Sequence, residues 1–370
     1  MDKHLHIVSF NVPLPADYGG IIDVFYRLKS LSAMGVKIHL HCFAYGRPPA
    51  SELERYCTEV HYYARRMSPL LMLGRRPYIV SSRDSAELRR RLAADDHPIL
   101  LEGLHCCALL QYPEFSHRHI MVRAHNVESD YYALLAQAET SPLRKVYLRW
   151  EAGKIRRFEP VLSHAQWVFA VSDADIQAFS AMGCSNLSVL TSSHPFDSVA
   201  SHCGRGDYVL YHGNLAVAEN YRAVEFLADN LFSCCSHTFV VAGNEPPQWL
   251  CAKLRRHANV RLVASPDDAA MRRLVADAHV NLLYTAQPTG LKLKLLNSLF
   301  SGRHCLVNSA MVAGTALGQL CTVADSTGAM ASALDRLMAA DFDAAALDRR
   351  RHLLEPLIPA NANRAIFDQI

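Results

Sequence analysis

Thr285-Ala-Gln-Pro-Thr-Gly-Leu-Lys-Leu-Lys-Leu-Leu-Asn-Ser-Leu-Phe-Ser-Gly-Arg-His-Cys-Leu-Val-Asn308 reads as a glycine-led helix over 290–301, stopped at Ser301-Gly302 and followed by an apolar strand at 304–309. A helix handing over to a short apolar run is half of the repeating unit of a parallel sheet, whose strands are joined by crossover helices. Outward from this unit, strands are expected near 209–213, 238–243, 260–264, 280–285 and 320–325, with helices near 217–230, 247–257, 267–277 and 327–340 between them. A similar series fills the first half: strands at 4–11, 36–44, 59–64, 98–103, 119–126, 167–172 and 187–193, helices at 20–34, 84–94, 127–137, 143–162 and 173–182. Between the series, Ala200-Ser-His-Cys-Gly-Arg-Gly-Asp207 collects small, glycine and polar residues, which suits a linker. The pattern predicts an α/β protein of two Rossmann-like doubly wound domains facing a cleft, over 1–195 and 208–370, joined at 196–207. A chain of 370 residues is too long for one ordinary core and fits two such domains. Neither half has a short repeat period, which excludes a solenoid.

Composition narrows the function. With 50% hydrophobic and 20% charged residues the chain is ordinary globular protein, and long disorder is excluded. A formal charge of +3 gives no support to a nucleic-acid partner held through its phosphates. The 11 cysteines are odd in number and never spaced C-x-x-C, which predicts reduced thiols in a cytoplasmic protein and neither a disulfide framework nor a zinc site. Many of the 19 histidines alternate with apolar residues along strands, as in His4-Leu5-His6 and His39-Leu40-His41, and these read as structural. The polar start Met-Asp-Lys-His lacks a signal-peptide core, and no window approaches 18 apolar residues.

In open parallel sheets ligands bind beyond the carboxyl ends of the strands, so chemistry is sought in the loops that follow them. The first such loop ends in Gly19-Gly20, where the backbone can approach an anion and offer helix N-terminal amides. The strand at 98–103 ends in Glu102, Gly103 and His105; the one at 119–126 runs into Arg123, His125, Asn126 and Glu128. Each places ionisable groups where a cleft would form, and imidazoles there can titrate or hydrogen-bond near neutrality. In the second half, His212-Gly213-Asn214 opens a helix carrying Glu219 and Asn220, and Gly243 ends the next strand; such glycines free amides for phosphate. Lys292 and Lys294 lie in the first turns of the glycine-led helix, where cations are unfavourable unless an anion is bound, and this points to a diphosphate.

Taken in order, these motifs resemble the GT-B glycosyltransferases, in particular the retaining group 1 (family 4-like) enzymes, over nearly the whole chain. The resemblance implies a nucleotide-sugar donor, UDP- or GDP-linked, on the C-terminal domain, a glycan or lipid-linked acceptor on the N-terminal domain, and neither metal nor separate cofactor. It assigns the donor diphosphate to Gly19, Gly20 and Lys292 or Lys294, with His212, Gly213, Asn214, Gly243, Thr289, Gly290, Leu291 and Asn297 completing the donor site. His105, His125 and Glu102 fall near the reacting sugar, His105 orienting it without attacking it. The family commonly has two acidic residues where Thr289 and Asn297 stand here, and neither of these is a carboxylate. Two other readings follow: a catalytically silent GT-B domain that binds a glycan or stabilises a partner enzyme, and a sugar-nucleotide epimerase of similar architecture.

One further stretch, Ala64-Arg-Arg-Met-Ser-Pro-Leu-Leu-Met-Leu-Gly-Arg-Arg-Pro77, brackets an apolar run with two arginine pairs. It suits peripheral contact of residues 65–76 with an anionic membrane, at the inner face of the cell membrane. The alternative is an internal helix whose leucines fill the core.

Overall fold

The computed structural model describes residues 2–286 and 292–370. The first sheet holds β1 (His4–Ser9), β2 (Lys37–Ala44), β3 (Glu59–Ala64), β4 (Ile99–Glu102), β5 (Ile120–Arg123), β6 (Trp167–Ala170) and β7 (Leu187–Val189). All pairings are parallel and the order is β3-β2-β1-β4-β5-β6-β7. The second sheet holds β8 (Val209–His212), β9 (Phe239–Gly243), β10 (Val260–Ala264), β11 (Val280–Leu283), β12 (His304–Val307) and β13 (Thr322–Val323), again parallel, in the order β10-β9-β8-β11-β12-β13. In both sheets the winding reverses beside the first strand, and such a reversal is where a doubly wound sheet takes its ligand.

Each sheet is buried by helices on amphipathic spacing. Ile21, Val24, Phe25, Leu28 and Leu31 of the helix Gly19–Ala33 lie on one stripe and join Leu5, Ile7, Leu101 and Val122 in the first core. Ala223, Val224, Leu227 and Ala228 of the helix Ala218–Asn230 pack with Val209, Tyr211 and Val241 in the second. Truncating one such buried leucine to alanine would cost about 2–5 kcal/mol.

The chain divides into two compact units, Met1–Pro195 with Pro359–Ile370, and Phe196–Ile358. The last twelve residues thus join the first unit, whereas the sequence pattern placed them with the second half. Asn363, fully buried, explains this: its amide donates to Ser193 Oγ at 3.0 Å and its Oδ1 accepts from Arg27 at 3.0 Å. The stretch expected as a linker, 196–207, counts with the second unit, where the Phe196 ring stacks on Phe300 and the Ala200 amide donates to Phe300 O at 2.7 Å. All 11 cysteines are free thiols. No helix among the described residues is long and apolar enough to cross a membrane.

Residues 69–73 form a short 3₁₀ helix that buries none of its side chains, with Leu70 76% and Leu73 74% exposed. The expectation that its leucines could fill the core is therefore wrong. The arginines beside it are partly engaged: Arg65 stacks on Tyr45 and Tyr78, Arg66 donates to Ser81 O, and Arg76 pairs with Asp84.

Candidate functional site

At the carboxyl edge of the first sheet the helix Gly19–Ala33 and strands β4 and β5 bring four charges together. Arg27 pairs with Asp23 one turn earlier at 2.6 Å and donates to Glu102 at 2.8 Å; Arg123 donates to Asp23 at 3.1 Å. None of the four is more than 1% exposed. Burial by itself would raise both carboxyls. The neighbouring guanidiniums outweigh it, hold Asp23 down to about 2 and lower Glu102. The Ser193 amide adds a bond to Asp23 at 2.6 Å, and Arg123 donates to Leu190 O at 2.7 Å. His125 caps this set from the solvent side, with Nε2 3.1 Å from Glu102 and Nδ1 3.5 Å from Asp23. Glu102 is thus sealed beneath His125 and can orient that imidazole without itself reaching a substrate.

Gly103 follows Glu102 with φ +78°, the left-handed region that glycine enters without penalty. A Cβ there would stand 3.1 Å from His105 Nδ1 and 3.4 Å from the His125 ring, so the turn sets both imidazoles against one small gap. Phe10, just past β1, packs on both rings with centroids 5.4 and 5.7 Å away. Burial above all, then the charge of Arg83, lowers His105 well below the usual imidazole value. It stands neutral at pH 7, and its buried Nδ1 makes no hydrogen bond among the described residues. Gly19 and Gly20 open their helix with no side-chain cap and no acidic residue in the first turn, and among the described residues a Cβ at Gly19 would meet nothing within 4 Å. Those amides are available to an anion.

Two further residues lie beside this gap: Arg83, which the sequence pattern did not single out, and Glu128, which it gave no role. Arg83 is 7% exposed, anchored through Phe10 O and Ile79 O at 2.8 Å each, and among the described residues pairs with no carboxylate. Glu128, 3% exposed at the start of the helix Glu128–Ala138, is pushed up to about 7 mainly by burial, against a lowering hydrogen bond from Asn126. Glu128 stood in the quoted His125–Glu128 run, but neither its burial nor the position of Arg83 can be read from local pattern. Asp23 and Arg27 did leave a signal: an acid and a base four apart among the apolar residues Ile21, Ile22, Val24, Phe25 and Leu28.

In the second unit, β8 ends in His212, whose Nε2 lies 2.9 Å from Ser298 Oγ on the helix Leu293–Ser301. Burial first, and Lys294 second, lower this imidazole to about 3. Gly213 and Gly243 are needed by packing: a Cβ on Gly243 would fall 1.8 Å from Gly213 O, and one on Gly213 would lie 3.1 Å from the Asn220 amide. Asn214 is exposed, and its Oδ1 accepts from the Ala216 amide at 3.1 Å. Lys294 donates to Asn220 Oδ1 at 2.8 Å and stands 5.4 Å over the Tyr211 ring; burial brings it down to about 8. Lys292 lies 3.8 Å from Glu219, which also accepts from the Thr285 hydroxyl. Asn297 is half-buried on the same helix. Thr289, Gly290 and Leu291 lie outside the described residues. A carboxylate does stand at this edge, on another helix, as Glu219. Sequence spacing could not show that, because Glu219 and Thr285 meet only through the fold.

No protein-family model matches the chain. Among curated proteins it is similar to an uncharacterized 44.6 kDa protein in the cps region of Klebsiella pneumoniae, 24% identical over 337 residues, covering 84% of this chain and 82% of that one. Among solved structures it is similar to the lipopolysaccharide outer core galactosyltransferase WaaB (TM-score 0.64, 12% identity, 100% of both chains). It is also similar to sucrose-phosphate synthase from Thermosynechococcus elongatus (TM-score 0.62, 12% identity, 99% of this chain and 98% of that one). A third, Anabaena HepE in complex with UDP and glucose, matches with TM-score 0.55 and 12% identity over 99% of this chain and 95% of that one. With two parallel-sheet α/β domains that superpose along their length on glycosyltransferases of this kind, the chain has the GT-B fold.

Proposed function

We propose that this chain is a glycosyltransferase that moves a sugar from a nucleotide-sugar donor to a glycan or lipid-linked acceptor. The observation that carries the reading is the pair Lys292 and Lys294 entering the helix Leu293–Ser301 beside the ends of β8 and β11, with Glu219 as the one carboxylate beside them among the described residues. Two ammonium groups at the positive end of a helix are held there at a cost that a bound diphosphate offsets. UDP is the favoured nucleotide, since HepE is similar in fold and its structures hold UDP and UDP-glucose. In this role Lys294 and Lys292 meet the diphosphate, Glu219 accepts from a donor hydroxyl, and the amides at Gly213 and Asn214 approach the phosphates.

On the acceptor side His105 and His125 line the first unit's edge. The acceptor hydroxyl oxygen bonds to the anomeric carbon as the bond from that carbon to the diphosphate oxygen breaks; the electron pair leaves on the nucleoside diphosphate, and its oxygen takes the acceptor proton. Attack on the face the diphosphate leaves gives retention and needs no protein nucleophile. His105, neutral and with an orphaned nitrogen, orients the sugar, and Glu102 positions His125. Positive groups at the donor end stabilise the charge that develops on the leaving group. The resemblance to group 1 enzymes and the cps-region relative both fit a step in polysaccharide biosynthesis. The exposed Leu70 and Leu73 fit an acceptor met at the inner face of the membrane.

A thermal-shift screen against UDP-, GDP-, ADP- and TDP-sugars tests the donor. At a concentration 100 times the dissociation constant the right donor adds about 2.7 kcal/mol of stability. Absence of a shift with all four classes would remove the donor site. For the membrane contact, co-sedimentation with anionic liposomes should fall when Leu70 and Leu73 are both changed to Asp, and equal sedimentation would separate the protein from the bilayer.

A further inference from the structure

The edge of the first sheet opposite the candidate site carries an array of histidines. His4 and His6 alternate on β1, His39 and His41 on β2, and His61 follows on β3; register pairs His6 with His39 and His41 with His61. Alternate residues of a strand share a face, so these rings lie together on one face of the sheet, and ring contacts diagonal to the register link them into two rows, His6 with His41 and His4 with His39. The inner row is saturated. His6 contacts His41 Nε2 and Asp95 at 3.0 Å each, and His41 Nδ1 meets the Tyr63 hydroxyl at 2.8 Å.

The outer row differs. His4, His39 and His97 each present one ring nitrogen, and the three lie within 4.8 Å of one another. Their rings stack closely, His97 on His4 at 4.5 Å and on His39 at 5.7 Å. His4 Nδ1 and His39 Nε2 are 3.0 Å apart, and the ring nitrogens of His97 make no hydrogen bond among the described residues. Tetrahedral zinc at 2.0–2.1 Å from imidazole nitrogen needs ligand atoms roughly 3.3 Å apart, against 3.0 Å between His4 Nδ1 and His39 Nε2 and at most 4.8 Å across the set. Glu59 holds the far nitrogen of His39 at 2.5 Å, the carboxylate–histidine arrangement that aims the other nitrogen's lone pair at a metal. All three histidines are half-buried, so an ion can enter and a water can complete its shell. Asp2 and Lys37 are the further charges felt at His4, and they oppose each other.

We propose that His4, His39 and His97 form a tri-histidine site for one first-row divalent cation of the zinc class, with Glu59 orienting His39. The ion would tie together β1, β2 and the entry to β4, which are neighbours at the centre of the sheet, and it takes no part in sugar transfer. Imidazole ligands suit zinc, copper and nickel over magnesium or calcium.

The test uses untagged full-length protein stripped with chelator and titrated with zinc chloride by calorimetry, with thermal denaturation alongside. One zinc per chain should bind saturably and raise the melting temperature, and chelator should reverse both. His97→Ala, which lies outside the strands, should melt like the wild type in chelator yet lose this binding; Glu59→Gln should weaken it about 10–100-fold. A control variant, His237→Ala, should bind as the wild type does. No saturable one-to-one binding by the wild type, or equal binding by the folded His97→Ala and His39→Ala variants, would overturn the site. Unchanged affinity in Glu59→Gln would overturn the orienting role.

Discussion

At the carboxyl edge of the first sheet Asp23, Arg27, Glu102 and Arg123 are each at most 1% exposed and neutralise one another, whereas at the same edge of the second sheet Lys292 and Lys294 meet Glu219, itself 28% exposed. The strand order leading to the two edges is the same, with the winding reversing beside β1 in one and β8 in the other. A charge set that closes on itself fixes structure, because its energy is already spent within the protein. One left cationic and only partly buried can still be completed by a ligand of the opposite sign. On the first edge the carboxylate of Glu102 is already committed within the network, and the two histidines lie above it.

The largest effect should come from opening the closed set. Glu102→Gln leaves Arg27, Arg123 and His125 to share the single buried carboxylate of Asp23, and chemical denaturation should show a loss of about 3–5 kcal/mol. Donor binding to the folded fraction should be unchanged; a variant as stable as the wild type would mean that the network is not closed. The network also predicts a pH response. Asp23 is depressed to about 2 from an ordinary value near 4, so its contribution is complete above pH ~4 and is lost as the pH falls toward 2.

At the open edge, Lys294→Ala should weaken UDP binding roughly tenfold to a hundredfold, the worth of about 1.5–3 kcal/mol for a bond to a charged group, while folding stability changes little. Because Lys294 titrates near 8 in the free protein, wild-type affinity should decline as pH rises beyond that, and the variant should lose this dependence. Calorimetry at pH 7 and pH 9 checks both. Equal affinity in wild type and variant would make the two edges alike.

Gly243→Ala tests whether packing or ligand needs the glycine. With a Cβ at 1.8 Å from Gly213 O, it should cost about 1–3 kcal/mol of stability before any effect on donor affinity is seen. A smaller change is expected from His105→Ala: turnover about tenfold to a hundredfold lower with donor affinity intact, as befits a group that hydrogen-bonds the reacting sugar. Loss of stability with normal turnover would return His105 to the core.

The smallest effect concerns Glu128. Its raised value, near 7, means that the folded state takes up a proton more readily than the unfolded one. Its contribution is complete below pH ~4 and is lost as pH rises through 7, and Glu128→Gln should flatten the stability profile across that window. Parallel profiles for wild type and variant would show that this carboxyl is not perturbed.

Much of this molecule was determined by the sequence alone. Every expected strand is present, most shortened by a residue or two at an end, and the expected helices recur within a few residues, because hydrophobic period is a local property that burial enforces. That His105 and His125 follow β4 and β5, that His212 closes β8 and that Lys294 lies in the helix before β12 was legible too, since the alternation of elements orders them along the chain. What only the tertiary structure decided are the partnerships. Glu102 and Arg27 are 75 residues apart in the chain, Asp23 and Arg123 are 100 apart, and Asn363 meets Arg27 across 336. Glu219 reaches Thr285 across 66. Charge signs in a sequence say which groups can pair, but a buried ion pair depends on distances of a few ångströms and on the exclusion of water, which only the folded chain sets.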